Sequence, residues 1–322
     1  MKKRVLVTGG AGYIGSVLMR NLLAKGYEVT VLDSLRSGGA SLLELIGESN
    51  FSFINADVRD TKTVREALRV NDTIVHLAGI VGQPACNKNP KEAYEVNQLA
   101  TMNLYDLAIE MKIPRFIFAS TCSNYGMLDD KVATEETPVE ATSIYANTKI
   151  QSEKYILGKK ASHTSPTILR FATAFGISPR MRIDLLVHEF LRDAIYKKQI
   201  LVYGPEYWRP FIHVKDVAKA VILCIQAPSD KVSHQIFNVG SNKNNIRKID
   251  LAKLIVKYVP TTTIETVQTE QDLRNYYVSF HKISNVLGYS VTKTLDEGIL
   301  EVKRAIVEGI INPYDEALYY NA

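Results

Sequence analysis

The sequence predicts an α/β fold: a doubly wound parallel sheet followed by a smaller, mixed C-terminal domain. Two observations support this prediction. Short apolar segments alternate with amphipathic segments through the first half of the chain, and after about residue 170 the alternation loosens at prolines 179, 205, 210, 228 and 260. The length of 322 residues also fits one large domain plus a smaller one better than a single core.

The predicted strands are short and apolar throughout, which is typical of a sheet that is buried on both faces. Because predicted helices separate them, we expect right-handed crossovers and helices on both sides of the sheet. The strands are predicted at residues 4–8, 29–32, 51–54, 73–77, 115–119, 167–169 and 235–239, and the helices at 14–25, 62–69, 91–112, 144–159 and within 212–226.

The same pattern divides the chain. We expect residues 1–170 and about 212–240 to form the larger domain. Residues of about 171–211 and 241–322 would form the smaller one.

Several classes of function are disfavoured. No run of about 18 apolar residues is present, so we expect no membrane-spanning helix. The N-terminal apolar stretch stops at Val7, which is too short for a signal peptide and favours a cytoplasmic protein. The three cysteines lack metal-ligand spacing, so no metal is expected. The net charge of +5 is spread without a basic run, so no nucleic-acid partner is expected.

The strongest motif is TGGAGYIG at residues 8–15, directly between a predicted strand and a predicted helix. Its glycines allow a tight turn, close approach of the backbone to a diphosphate, and close packing of helix on sheet. The diphosphate then lies at the helix N-terminus, among unpaired amides. Asp33 ends the next strand, where a carboxylate binds the adenosine ribose and favours NAD over NADP. Arg36 is close enough to accommodate a 2′-phosphate instead.

A second motif, Y-x-x-x-K, is formed by Tyr145 and Lys149 on a predicted helix. Residues at i and i+4 share a face. A nearby cation stabilises a phenolate, so we expect Lys149 to lower the pKa of Tyr145 from about 10. The pair could then remove a proton from a substrate hydroxyl while a nicotinamide accepts the hydride.

Together with shorter motifs, these features resemble the extended short-chain dehydrogenases, specifically the sugar-nucleotide epimerase/dehydratase group. The resemblance covers nearly the whole chain and implies a Rossmann fold, bound NAD, a nucleotide-diphosphate sugar substrate and a homodimer. The shorter motifs are Asp57-Val58, HLAG at 76–79, Asn97, Ser120-Thr121 and Tyr125-Gly126.

The resemblance also implies roles for individual residues. In the cofactor site, Asp57 and Val58 would hold the adenine, and Leu77, Ala78 and Gly79 would lie beside the phosphates and ribose. Asn97 would lie next to the nicotinamide half. The remaining predicted cofactor residues are Gly9, Gly12, Tyr13, Ile14, Gly15, Asp33, Tyr145 and Lys149.

For catalysis, the resemblance implies that Thr121 hydrogen-bonds the reacting sugar hydroxyl, with Ser120 as the alternative. Dehydratases of the group carry Asp-Glu immediately after this threonine, whereas this chain has Cys122 and Ser123. Neither residue supplies a carboxyl acid or base. The departure argues against dehydration and favours reversible oxidation.

On the substrate side, the WRPFIHV stretch at 208–214 places Arg209, and DLR at 272–274 places Arg274, where the family binds diphosphate. Arginine suits this role because it is permanently charged and bidentate. Thr173 stands where many epimerases have a diphosphate-binding Asn. Arg180 and Arg182, in a segment that resembles bacterial polysaccharide-sugar enzymes, either line the ligand pocket or cap the following helix. His213 is expected to order the chain.

The sequence therefore predicts an NAD-dependent enzyme that oxidises the C4 hydroxyl of a nucleotide-diphosphate sugar, as a 4-epimerase or a 4-dehydrogenase. C4 follows from the resemblance alone. The alternatives are a 4,6-dehydratase or 4-ketoreductase of the same family, and, from another class, an NAD(P)-sensing regulatory protein. Such sensors commonly lack the Tyr or Lys that this chain retains.

Overall fold

A computed structural model describes residues 3–159, 161–268, 274–315 and 319–321, without the side chains of residues 129 and 130. The strands are β1 Arg4–Thr8, β2 Glu28–Asp33, β3 Phe51–Asn55, β4 Thr73–His76, β5 Arg115–Thr121, β6 Met127–Ala133, β7 Ser165–Phe171, β8 Thr173–Phe175, β9 Gln199–Tyr203, β10 Trp208–His213, β11 Gln235–Val239, β12 Asn245–Arg247, β13 Thr263–Val267 and β14 Asn275–Val278. The helices are α1 Tyr13–Ala24, α2 Thr61–Leu68, α3 Gln83–Lys88, α4 Pro90–Tyr94, α5 Ala100–Glu110, α6 Ile144–Gly158, α7 Leu186–Tyr196, α8 Val214–Gln226, α9 Ser229–Val232, α10 Lys248–Tyr258, α11 His281–Leu287 and α12 Leu295–Val307.

The centre of the fold is a seven-stranded sheet in the order β11-β7-β5-β4-β1-β2-β3. Every neighbouring pair in it is parallel. The chain runs outward from β1 to β3 and then returns to build the other half from β4. This reversal opens a crevice at the carboxyl ends of β1 and β4, which is where doubly wound sheets bind ligands. The predicted fold class is confirmed.

Side chains of successive strand residues explain why the predicted strands are continuously apolar. Val5 and Val7 of β1 pack into the core on one face of the sheet, and Leu6 packs into the core on the other. Side chains alternate across a strand, so a sheet covered on both faces needs apolar residues at every position.

The other strands pair in smaller groups beside the crevice. β10 pairs parallel with β8 and antiparallel with β12, and β9 pairs parallel with β13. β6 pairs with β14, although β6 lies before residue 170 and β14 after residue 240. The two predicted domains therefore share strand pairing, and their boundaries stay a prediction.

The predicted helix over residues 91–112 differs from the structure. It is divided into α4, a π-helical turn at Glu95–Leu99, and α5. Asn89 caps α4 by accepting a hydrogen bond from the Glu92 amide, and Pro90 begins the helix. Single π turns inside helices often lie at functional sites. This turn contains Asn97, one of the predicted site residues.

Within the described ranges, none of the helices has both the length and the apolar character needed to cross a membrane. The three cysteines are buried and free. No group of three or more metal-ligating side chains comes together in this part of the chain.

Candidate active site

A cavity of about 1350 Å³ extends from the turn after β1, across the carboxyl ends of β4 and β5, to the region of β8, β9 and β10. It brings together nearly all of the side chains predicted from the sequence, and Asn97 is the exception. The predicted residues that line it are Gly9, Gly12, Tyr13, Ile14, Gly15, Asp33, Asp57, Val58, Leu77, Ala78, Gly79, Thr121, Tyr145, Lys149, Thr173, Arg182, Arg209 and Arg274.

The turn after β1 is built around two glycines that no other residue could replace without movement. Gly9 has a φ of +72°, and a Cβ there would lie 2.6 Å from the Ala78 nitrogen. A Cβ on Gly15 would lie 2.4 Å from the Gly9 carbonyl oxygen. Gly12 precedes α1 and supplies no side-chain cap, so first-turn amides of α1 face the cavity without an intrahelical acceptor. This arrangement fits the diphosphate of a dinucleotide.

Asp33 lies at the end of β2 beside this turn. Its carboxylate accepts hydrogen bonds from the amides of Ala11, at 2.9 Å, and Leu35, at 2.8 Å. Burial raises the pKa of Asp33, and these two amides oppose that rise. Arg36 instead forms a two-pronged pair with Glu92, at 2.8 and 3.0 Å. Because Arg36 is held by a carboxylate, the site fits a free ribose better than a 2′-phosphate.

Asn97 lies behind the loop that follows β4. Its side chain is fully buried, donates to the Ile80 carbonyl at 2.8 Å and accepts from the Ile80 amide at 2.7 Å. A Cβ on Gly79 would lie 3.0 Å from the Asn97 Oδ1. Asn97 therefore shapes the loop from outside the cavity, whereas the sequence predicts that it lies beside the nicotinamide.

The Tyr145–Lys149 pair is positioned by the start of α6. Ser143 caps this helix by accepting from the Ala146 amide at 3.1 Å, so Tyr145 and Lys149 lie one turn apart at its N-terminal end. The Lys149 ammonium donates to the Ala119 carbonyl at 2.9 Å. Both side chains line the cavity.

The electrostatics of this pair differ from the expectation. Burial raises the pKa of Tyr145, and the cation that opposes the rise is Arg182 rather than Lys149. Burial also lowers the pKa of Lys149 to about 8. The buried protein interior disfavours both charged forms. Burial alone therefore favours the neutral phenol of Tyr145.

The structure separates the two candidate hydroxyls, Ser120 and Thr121. The Ser120 hydroxyl donates to the buried Glu153 carboxylate. The Thr121 side chain accepts a hydrogen bond from the Ser123 amide at 3.1 Å and keeps its own proton available in the cavity. Thr121 is thus the better placed of the two to meet a ligand.

The predicted substrate residues Thr173, Arg182, Arg209 and Arg274 line the same cavity as Tyr145. Thr173 begins β8, and Arg209 lies in β10 with its guanidinium 5.4 Å from the centre of the Tyr276 ring. Arg274 lines the same region, while Asp272 and Leu273 of the predicted motif lie outside the described residues. Arg182 forms an ion pair with Asp184 and caps no helix.

A comparison with known protein families agrees with this geometry. The model of the NAD dependent epimerase/dehydratase family matches residues 5–240, which is most of the chain. The chain belongs to that family. NAD is accordingly its cofactor.

The relatives within the family carry out different reactions. The chain is 28% identical over 260 residues to a UDP-glucose 4-epimerase from Bacillus subtilis, covering 74% of this chain and 77% of that protein. It is 32% identical over 250 residues to a UDP-N-acetyl-alpha-D-glucosaminuronate decarboxylase from Bacillus cytotoxicus, covering 75% and 76%. A dTDP-glucose 4,6-dehydratase from Streptomyces venezuelae, solved with NAD bound, superposes with a TM-score of 0.84 at 26% identity, covering 96% and 99%. Family membership therefore leaves the reaction open.

His213 has a structural environment, as the sequence predicts. Its Nδ1 accepts from the Lys215 amide at 3.2 Å and so caps α8, while Nε2 lies 3.1 Å from Glu301. Burial lowers the pKa of His213 below its ordinary value.

Tyr276 and Glu189 are among the cavity residues that the sequence analysis does not name. Tyr276 of β14 places its hydroxyl 3.3 Å from the Ser123 hydroxyl. Burial raises the pKa of Glu189 in α7 to about 7. The charges that act on Glu189 belong to Arg192, Asp184, Asp193 and Lys197. Neither residue belongs to a recognisable motif, and only the fold brings them to the cavity.

Behind the site, a buried ion pair joins α6 to β7. Glu153, two turns after Tyr145, binds Arg170 at 2.6 Å, and both side chains are only 4% exposed. Glu153 also accepts from Asn124 at 2.8 Å. The pair fixes the helix that carries Tyr145 and Lys149 against the strands beneath it.

We expect Glu153→Gln to lower the free energy of unfolding by about 3–5 kcal/mol, because it leaves the buried Arg170 guanidinium without an anion. Urea denaturation measures this. Glu110→Gln is the matched control, since its partner Arg65 is exposed and the pair contributes little. Equal midpoints for the two variants would contradict the expectation.

Proposed function

We propose that this protein oxidises the C4 hydroxyl of a nucleotide-diphosphate sugar with bound NAD, as a 4-epimerase or a 4-dehydrogenase. The observation that carries the proposal is the convergence of Thr121, Tyr145 and Lys149 in the cavity that also contains the glycine turn. The glycine turn supports a bound dinucleotide, and the three side chains support acid–base chemistry on a hydroxyl.

In the proposed mechanism, Thr121 hydrogen-bonds the reacting hydroxyl, and Tyr145, ionised to the phenolate in the working complex, accepts its proton. NAD, when bound, supplies the acceptor for the hydride that leaves the same carbon. Arg182 opposes the rise in the pKa of Tyr145, and Lys149, anchored on the Ala119 carbonyl, would hold the cofactor ribose. Because burial raises the pKa of Tyr145, proton removal requires these positive charges and a precisely held substrate.

The residues after Thr121 support oxidation over dehydration. The Cys122 thiol is buried and donates to the Arg170 carbonyl at 3.2 Å, away from the cavity. Burial also raises the pKa of this thiol far above its ordinary value. Ser123 lines the cavity but carries no carboxyl group. Neither position can supply the acid and base that loss of water needs.

We further propose that Arg209, Arg274 and Thr173 contact the substrate diphosphate, and that Arg182 contacts substrate beside Tyr145. Their presence in the cavity that also holds Tyr145 and Lys149 supports this assignment. On the resemblance of residues 180–187, we propose a role in making sugars for bacterial surface polysaccharides. The homodimer that the resemblance implies stays a prediction.

The test is to incubate the full-length protein with UDP-glucose, UDP-glucuronic acid and dTDP-glucose, and to identify the products and the redox state of the cofactor. A C4 epimer with no net NADH supports the epimerase, and a keto sugar with stoichiometric NADH supports the dehydrogenase. A 4-keto-6-deoxy product would instead establish the dehydratase. Absence of any cofactor reduction or product across the panel would favour a sensor.

A further inference from the structure

Arg180 is a buried cation without a matching anion. Only 6% of the residue is exposed, and its Nε has no hydrogen-bond partner. One terminal nitrogen donates to the Tyr320 carbonyl at 3.1 Å. Within the described part of the chain, no carboxylate lies within ion-pair distance of Arg180, unlike Arg170 and Arg182. Buried charges are normally paired, so an unpaired one that faces a cavity indicates a missing ligand.

The segment that carries Arg180 is bonded to the first turn of α1. Tyr13 donates its hydroxyl to the Gly176 carbonyl at 2.7 Å, and Ser178 donates to the Tyr13 carbonyl at 2.7 Å. The Arg180 amide donates to the Ser16 hydroxyl at 3.4 Å. These bonds fix the guanidinium of Arg180 in the same cavity as the uncapped N-terminus of α1.

The charges around Arg180 also point toward this end of the cavity. Burial lowers the pKa of Arg180, the nearby Arg182 lowers it further, and Asp184 and Asp33 oppose the change. Asp33 lies beside the glycine turn, so Arg180 is near enough to that turn for their charges to interact. A guanidinium can bind two phosphate oxygens at once, and it supplies a full charge where the helix supplies only a partial one.

We infer that Arg180 binds the diphosphate of NAD together with the N-terminus of α1. The inference rests on the proposed position of the cofactor on that turn. The competing assignment gives Arg180 to the diphosphate of the sugar nucleotide, which the proposed function already assigns to Arg209 and Arg274. The two assignments predict different ligand responses.

The experiment compares R180Q, R180K and wild-type protein, each full length and freed of bound nucleotide, by calorimetric titration with NAD, ADP, UDP and adenosine. We expect R180Q to lower the affinity for NAD and ADP about tenfold or more and to leave the affinity for adenosine unchanged. R180K keeps the positive charge but loses the bidentate guanidinium, so its affinity for NAD and ADP should lie between those of wild type and R180Q. Arg20→Gln is the matched control: Arg20 is on α1, which the Arg180 segment contacts, but it is bonded to Ser16, Ser41 and Glu44 and does not line the cavity.

Thermal unfolding of the nucleotide-free proteins gives a second readout. An uncompensated buried cation is unfavourable, so R180Q should unfold at the same temperature as wild type or higher, and NAD should stabilise it less. A lower unfolding temperature for R180Q, or its failure to fold, would show that Arg180 stabilises the nucleotide-free protein and would overturn the inference. Three other results for R180Q would also overturn the inference: an unchanged affinity for ADP, an equal loss of affinity for adenosine, or a loss of affinity for UDP alone. A wild-type protein that binds no NAD would instead contradict the cofactor site itself.

Discussion

Tyr145→Phe should reduce turnover by about 10²–10⁴-fold, the range that a general acid–base group contributes. The substitution removes one oxygen from a side chain that lines the cavity and leaves the ring in place. Because Lys149 keeps its bond to the Ala119 carbonyl, NAD affinity should remain within a few fold of wild type. Steady-state kinetics with the active substrate, together with cofactor titration, measure the two effects.

Tyr155→Phe is the control for that substitution. Tyr155 lies on the same helix, but its hydroxyl donates to Asp106 at 2.6 Å and it does not line the cavity. Its loss should affect stability slightly and turnover hardly at all. Comparable losses of turnover in both variants would mean that Tyr145 acts only through the helix, and full turnover in Tyr145→Phe would remove it as the base.

Gly15→Ala should weaken NAD binding on the order of 100-fold or more, about 3 kcal/mol. The added methyl group would meet backbone atoms, 2.4 Å from the Gly9 oxygen and 2.6 Å from the Gly10 Cα, and neither can move without moving the turn. A displaced turn no longer directs the amides of α1 at the diphosphate. Titration with NAD and with ADP measures the loss.

Gly158→Ala tests whether any glycine substitution has this effect. Gly158 is the last residue of α6, and nothing lies within 4 Å of the position where its Cβ would stand. Alanine there favours the helix and should leave NAD affinity unchanged. Retention of wild-type affinity by Gly15→Ala would contradict the role assigned to the turn.

The local motifs could be predicted because their physics is local. The glycine turn, Asp33 and the Tyr145–Lys149 spacing each depend on a few neighbouring residues and on one strand or helix. The strands of the central sheet could be predicted for the same reason, since burial on both faces requires continuous apolar runs. The parallel arrangement of these strands then followed from strand–helix alternation.

Other features depend on contacts between distant parts of the chain. The position of Asn97 behind the Ile80 loop requires the π turn, which no simple periodicity predicts. The pairing of Arg36 with Glu92 and the burial that raises the pKa of Tyr145 are likewise tertiary effects. Arg180 shows the same limit, because its sequence gives a charge while only the fold shows that the charge is unpaired.

The cavity wall also includes residues that lie far along the chain. Tyr320 and Asn321 line it, and the Asn321 side chain donates to the Val81 carbonyl at 3.2 Å, across a separation of 240 residues. During synthesis, the glycine turn leaves the ribosome long before these residues exist. The compartment around the dinucleotide is therefore completed only after residue 321 has emerged, so a nascent chain can assemble its parallel sheet early and capture its cofactor late.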